Sequence, residues 1–484
     1  MKRQSISLYK KGFLLCLAVF ISLGACACAH RMENEGWDYN AKRGPTPLVI
    51  GGQEPSNGAS QDFSPNTYVP YVGGKIKFTY SAAMAAESIH AAESYIQAFT
   101  AAYPEVTVTT DSVAANIDAQ ISAGTIGDVF LFPDEDIYKY AKTYQCLMDL
   151  TPYFSVYKVD TDDIYPGLTE AAVLNGSFCY VPAFYAQTAL LCNLTVLKEL
   201  GLADKISSRL TWNEFTDMVR QTAFSPEGEA TYRRTKIDLT DDVNFTAFIE
   251  AYTGHADWCG GAYQQIRFFD ENALTLSALR EAVELAQEGF MCITGGENTL
   301  TVTPSDHYQA SAQYVFQSVY YSEVATLGAL YDSMGIEWDL MSMPQFPSGL
   351  TACTSYGMGV YNRTANPDTA AMFALFLTTE KGQAAYNGTP GTGVPTKASM
   401  ADAAFWRYPA HPTWADKNWS AFLPHSFDST VAGQTECRMP VQVSNLIENN
   451  IEKLLLRVTV GAYPLEDEIR TLESECNTLW KALN

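Results

Sequence analysis

Residues 105–132 read EVTVTTDSVAANIDAQISAGTIGDVFLF, and the two ends of this stretch are strands of different kinds. EVTVTT (105–110) alternates valine with threonine over Val106–Thr109, the pattern of a strand. GDVFLF (127–132) ends in a continuous apolar run, which suits a parallel strand covered on both faces. Between them, Ala114 to Ala123 reads as a helix. Upstream, KIKFTY (75–80) alternates again, followed by Ile89, Ala92, Ile96, Phe99 and Tyr103 at helical spacing. Strand, helix and strand recur in order, so the spacing predicts an α/β fold. Downstream, Pro133 stands at the first position of an expected helix whose first turn carries Asp134, Glu135 and Asp136, where the helix dipole favours acids.

Other pieces can also be read locally. Thr211-Trp212-Asn213-Glu214 has the form of a capping box, which makes Trp212 a packing residue. Asn366-Pro367 opens another helix, and Gly388 closes the pair that follows. After Pro464, residues Ile469, Leu472, Cys476 and Leu479 share one face of a helix with acids on the other, so that face belongs to a core.

The chain has 484 residues and a net charge of -23. Such a surface repels phosphate backbones and anionic headgroups, which argues against nucleic acid and strongly anionic solutes as partners. The 11 cysteines include no C-x-x-C pair and no metal-ligand spacing with the six histidines. Most lie in apolar settings such as SFCYV and FMCIT, so free buried thiols are expected, with no metal or cofactor.

At the N-terminus, Lys2, Arg3, Lys10 and Lys11 precede an apolar run from Phe13 to Leu23 that is too short to span a bilayer. This reads as a signal peptide over residues 1–25. Its exit, Leu23-Gly24-Ala25-Cys26, resembles the bacterial lipobox, which makes Cys26 the expected lipidation site. Residues 26–74 are rich in Pro, Gly, Asn and Ser and show no apolar periodicity, as in a flexible tether. At up to ~3.5 Å per residue, such a tether holds a folded body well over ~100 Å from its lipid. About 410 residues remain, enough for two domains with their own cores.

Three stretches carry a more specific signal. The first is AFTAAYPEVTVTT followed by IDAQISAGTIGDVFLFPDEDIYKYAKTYQCLMDLTPYF. The second is NGSFCYVPAFYAQTALLCNLTVLKELGL with LTWNEFTDMV, and the third is SYGMGVYNRTANPDTAAMFALFLTTEKGQAAYNGTPGTGVPTKAS. In this order they resemble the family 1 extracellular solute-binding proteins of ABC importers. The resemblance implies a two-lobe periplasmic-binding-protein-like α/β fold, with lobes joined by crossing strands and a solute held between them. The crossings are expected near Pro182–Asn193, Thr351–Gly357 and Lys397–Phe405, which assigns 75–186 plus 357–400 to lobe 1 and 187–356 plus 401–484 to lobe 2.

The same resemblance implies where the solute is touched. Tyr80 and Ser81 end the first strand at the family's first contact loop. Phe132, Asp134 and Glu135 stand at the end of the DVFLF strand, where family members commonly place an aromatic and a carboxylate and helix-start acids are the competing reading. Tyr185 and Gln187 lie on the first crossing, and Trp258 precedes Gly260-Gly261, with core packing as its alternative. Tyr320 stands where many members carry tryptophan, although QSVYYSE lacks the accompanying glycine, and core packing of Tyr320 with Tyr321 at the cleft is the rival arrangement. Ser355 and Tyr356 occupy a segment that is often glycine-rich in relatives.

Catalysis is not expected: G-x-S-x-G and H-E-x-x-H are absent, and DTDDIYPG lacks the glycine and distal glutamate of a calcium loop. With 28 tyrosines and 8 tryptophans the chain has the material to stack on sugar C–H faces. The expected protein is a monomeric, exported, lipid-anchored receptor for a small solute, most naturally a carbohydrate, that serves the permease of an ABC importer. A surface glycan adhesin, or a receptor for a peptide or polyamine, are the other readings.

Overall fold

The structure is a computed structural model that describes residues 70–483 except 82–85, 114–116, 207–209, 223–234, 237–241, 255–264, 270–273, 289–313, 390–391, 408–411, 433–438 and 462. The leader, Cys26, nearly all of the tether and Trp258 lie outside the described residues.

In chain order the strands used below are β1 (Gly74–Ser81), β2 (Val106–Val113), β3 (Val129–Pro133), β4 (Val181–Pro182), β5 (Ala189–Asn193), β6 (Thr235–Lys236), β7 (Phe316–Val319), β8 (Trp338–Ser342), β9 (Thr351–Cys353), β10 (Tyr356–Val360) and β11 (Thr430–Ala432). The first sheet has the order β2-β1-β3-β10-β4. β1 is parallel to β2 and β3, with helix Ala86–Ala102 connecting β1 to β2, so the alternating and continuous apolar runs form the parallel unit that their patterns predict. β10 returns antiparallel between β3 and β4. Alternation along β3 divides its side chains: Val129 and Leu131 pack with Ile76, Phe78 and Phe373 on one face, and Phe130 and Phe132 pack with Tyr140 and Tyr180 on the other. Burial of each such side chain stabilises the fold by about 1.5–3 kcal/mol.

The segment after β3 differs from the expected α-helix. Asp134–Asp136 forms a 3-10 turn and Lys139–Thr143 a π turn. The acids here are not a solvated face. Lys139 Nζ lies 3.0 Å from Asp118 and 3.1 Å from Asp136 in a largely buried cluster, and Asp134 turns inward.

The second sheet has the order β8-β5-β7-β6. All five residues of β5, Ala-Leu-Leu-Cys-Asn, are buried. Leu190 and Cys192 enter a core with the C-terminal helices Val441–Thr459 and Leu465–Leu483, and Ala189 and Leu191 enter another with Trp338, Trp406 and Trp419. Ile469, Leu472 and Cys476 lie in the first of these, as their spacing requires. The capping box also forms: Thr211 N–H donates to Glu214 Oε2 at 2.8 Å, Glu214 N–H donates to Thr211 Oγ1 at 3.3 Å, and Trp212 is buried against Phe346.

The chain passes between the sheets at 183–188 and 354–355, where Ala186 pairs antiparallel with Thr354 and Tyr185 pairs with Val394. Cys146, Cys179, Cys192, Cys353 and Cys476 are free and buried. Burial pushes the Cys146 and Cys476 thiols up to about 12, so they stay protonated and behave as small apolar residues.

Candidate functional site

Both sheets aim the carboxyl ends of strands at the crossing. β1 and β3 finish at Ser81 and Pro133, and Pro133 is opposite Tyr356, the first residue of β10. In the second sheet, Val319 and Ser342, the last residues of β7 and β8, both pair with Ala189, the first residue of β5. Ligands of α/β sheets sit outside such strand ends.

The two crossing segments are extended, so successive side chains point to opposite sides. Ala183, Tyr185 and Gln187 are buried whereas Phe184, Ala186 and Thr188 are half-open. On the partner segment, Thr351, Cys353 and Ser355 are buried whereas Ala352, Thr354 and Tyr356 are open to differing degrees. The pairing of Ala186 with Thr354 places the two open sets on one face, with Phe184 beside Tyr356. Their ring centroids lie 6.3 Å apart at an interplanar angle of 24°. Gly393 backs this arrangement, since a Cβ there would come within 2.7 Å of the Phe184 side chain.

The buried sets hold the floor in place. Gln187 Nε2 donates to the carbonyls of Ala421 and Leu423 at 2.9 and 3.0 Å, while its Oε1 accepts from the Tyr185 hydroxyl. Ser355 N–H donates to Asp134 Oδ2 at 2.9 Å, and the Ser355 carbonyl accepts from Asp134 N–H and the Tyr180 hydroxyl, each at 3.0 Å. Thr354 Oγ1 donates to Asp134 Oδ1 at 2.7 Å. Asp134 is 1% exposed; its burial raises the carboxyl pKa to about 7, against the opposing pull of these donors.

The expected contact residues fall at these positions. Tyr185, Gln187 and Ser355 have the buried parity of the crossing strands and support the floor from beneath. Phe132 is enclosed by Phe130, Tyr140 and Tyr180, and Tyr80 lies in the core beside Phe78, because the faces of β3 and β1 on which they stand are covered. Asp134 reaches the open face only through Thr354. Ser81 and Glu135 are half-buried at the strand ends. Tyr356 is 41% exposed, yet the protein around it and then the carboxylates of Glu135, Asp136 and Asp134 raise its pKa. Tyr320 follows β7 and is half-exposed, with its N–H donating to Glu323 Oε2 at 2.9 Å. Tyr321 takes the core position instead: its hydroxyl donates to the Trp406 carbonyl, and its ring meets Phe422 at 5.5 Å. Phe184, Thr188 and Thr354 were not singled out in the sequence. The signal that could have found them is the period-two phase of PAFYAQTAL, but both phases hold aromatic and polar residues.

Solved structures share this fold. The sugar-binding protein MalE of Xanthomonas citri aligns with a TM-score of 0.67 at 15% identity, covering 84% of this chain and 98% of its own. A sugar transporter from Rhizobium etli in an open conformation gives 0.66 at 16% identity, over 83% and 98% of the two chains. The cyclic alpha-maltosyl-1,6-maltose binding protein of Arthrobacter globiformis gives 0.65 at 16% identity, over 85% and 100%. The sequence search of curated proteins gave no match. These likenesses establish a two-lobe periplasmic-binding-protein-like fold. The profile described as bacterial extracellular solute-binding protein matches residues 85–384, more than half of the chain, and the chain therefore belongs to that family of binding proteins, not of catalysts.

Proposed function

We propose that this protein is an exported receptor, lipid-anchored at Cys26, that captures a mono- or oligosaccharide and delivers it to the permease of an ABC importer. The observation that carries the reading is the open phase of the crossing strands, which holds the paired rings of Phe184 and Tyr356 together with Thr188 and Thr354. Rings give a pyranose an apolar face to stack on, and hydroxyls meet its hydrogen-bonding groups once water is excluded. The sugars named for the structural relatives support the same class. In this reading residues 75–186 plus 357–400 form one lobe and 187–356 plus 401–484 the other, and solute touching both shifts the population toward a closed form.

A thermal-shift screen over neutral mono- and oligosaccharides, with polyamines and short peptides alongside, tests the assignment. A sugar at 100 times its dissociation constant adds ~2.7 kcal/mol of stability. Stabilisation by a polyamine or peptide with none by any sugar at millimolar concentration would overturn it.

A further inference from the structure

Asp134 joins the end of β3 to the crossing strand through Thr354 and Ser355 and is 1% exposed; Glu250, also fully enclosed, lies near enough to Cys353 to act on it. Its own turn supplies Glu135 and Asp136, the crossing supplies Cys353 and Tyr356, the segment before β4 supplies Tyr180, and the carboxylates of Glu170 and Glu250 also act on Cys353. Burial raises the pKa of Cys353 and Tyr180 well above the ordinary range, so both are neutral at pH 7. Among these neighbours none is a cation, since Lys139 is held by Asp118 and Asp136.

We infer that Asp134 is a proton-operated positioning residue that sets the hydrogen-bonding sense of Thr354 on the binding floor and the hold of the crossing strand on the first sheet. This rests on the open face of the crossing being the solute site. When Asp134 is ionised, Thr354 gives its hydroxyl proton to Oδ1 and offers the solute lone pairs only. Uptake of one proton at Oδ1 reverses this 2.7 Å bond: the carboxyl donates to Thr354 Oγ1, whose own proton is then free to point at a solute acceptor. The same proton acts on the strand. A carboxyl whose pKa is about 7 in this seat, against 3.8 in water, is bound more favourably protonated, so the seated strand is stabilised as pH falls from 7 toward 4 and loses that stabilisation as pH rises through the window.

Hydrogen exchange of the Ser355 amide in the full chain, corrected for intrinsic exchange and measured without ligand from pH 5 to 8.5, reads the hold directly. Protection should rise by up to roughly tenfold per pH unit below pH 7 and stay level above it. Asp134→Asn should give a flat profile. Thr354→Val removes one donor to the ionised form and should move the onset to higher pH, whereas Thr354→Ser should leave it in place. A flat wild-type profile, the same rise in Asp134→Asn, or an unmoved onset in Thr354→Val would overturn the proposal. Failure of every sugar in the thermal screen would reject the solute assignment and leave this profile intact, which separates the two.

Discussion

Replacement of Tyr356 by alanine separates a binding ring from a structural one. In the folded protein the ring is already 41% exposed and its described aromatic partner is Phe184 at 6.3 Å, so truncation removes one aromatic contact, worth about 0.5–1.5 kcal/mol, and leaves little cavity. A loss near 1 kcal/mol lowers the melting temperature by roughly 2–4 °C for a lobe of 150–250 residues. In the complex the same ring would be covered by a sugar, and its loss should weaken binding by about 1–3 kcal/mol, the range of hot-spot aromatic truncations. That is roughly a five- to 150-fold rise in Kd. Calorimetric titration with the sugar that gives the largest thermal shift, together with a melt of the free protein, measures both quantities. Phe184→Ala and the double variant complete a cycle, and touching rings should couple by about 0.5 kcal/mol or more. Unchanged affinity in Tyr356→Ala, with a melting temperature lowered by ~10 °C or more, would refute the reasoning, since a core tyrosine behaves in that way.

Tyr321→Ala should destabilise the protein by about 3–5 kcal/mol through loss of a buried ring packed on Trp419 and Phe422, whereas Tyr320→Ala should leave the melt nearly unchanged and weaken sugar binding; paired melts and titrations decide. Gln187→Ala removes donors to the Ala421 and Leu423 carbonyls and should cost about 2–3 kcal/mol of stability in a denaturant melt, without removing a direct solute contact. Cys26→Ser should abolish lipidation, and mass spectrometry of membrane fractions that still found diacylated protein would reject Cys26 as the anchor.

Much of the scaffold was legible because its signals are local. The alternation of KIKFTY, the continuous VFLF run, the capping box at Thr211 and the amphipathic face after Pro464 each specify burial through the few residues around them. The turn after β3 was not legible. Asp134 to Asp136 satisfy the electrostatic rule for a helix start, but their partners, Thr354 and Ser355 for Asp134 and Lys139 for Asp136, include residues some 220 positions away in the chain. No window of sequence contains that competition. Tyr320 and Tyr321 posed a related problem, since adjacent tyrosines after a strand point to opposite sides and the deciding neighbours, Trp406, Trp419 and Phe422, come some 85 to 101 residues later.

The crossing strands show why site residues are harder to read than core residues. A core strand announces its buried phase by contrast, apolar against polar, whereas 183–188 carries alanine, tyrosine and glutamine in one phase and phenylalanine, alanine and threonine in the other. Neither phase is more hydrophobic in any decisive way, because the covered phase uses a polar group to grip the carbonyls at 421 and 423 and the open phase holds rings and hydroxyls, the groups that the proposed sugar site requires. What fixes the phase is pairing: once Ala186 is opposite Thr354, Phe184 and Tyr356 fall on the same side and Asp134 meets Thr354 from beneath. A one-residue slip in that register would exchange the two sets, bringing Tyr185 and Gln187 to the surface and enclosing Phe184. Gly393 resists the slip from the other side, since the ring of Phe184 rests against the space its missing side chain leaves. If the open phase is the sugar site, stability and binding fall on alternate residues of the same segment, and a substitution changes one while sparing the other only when it respects that parity.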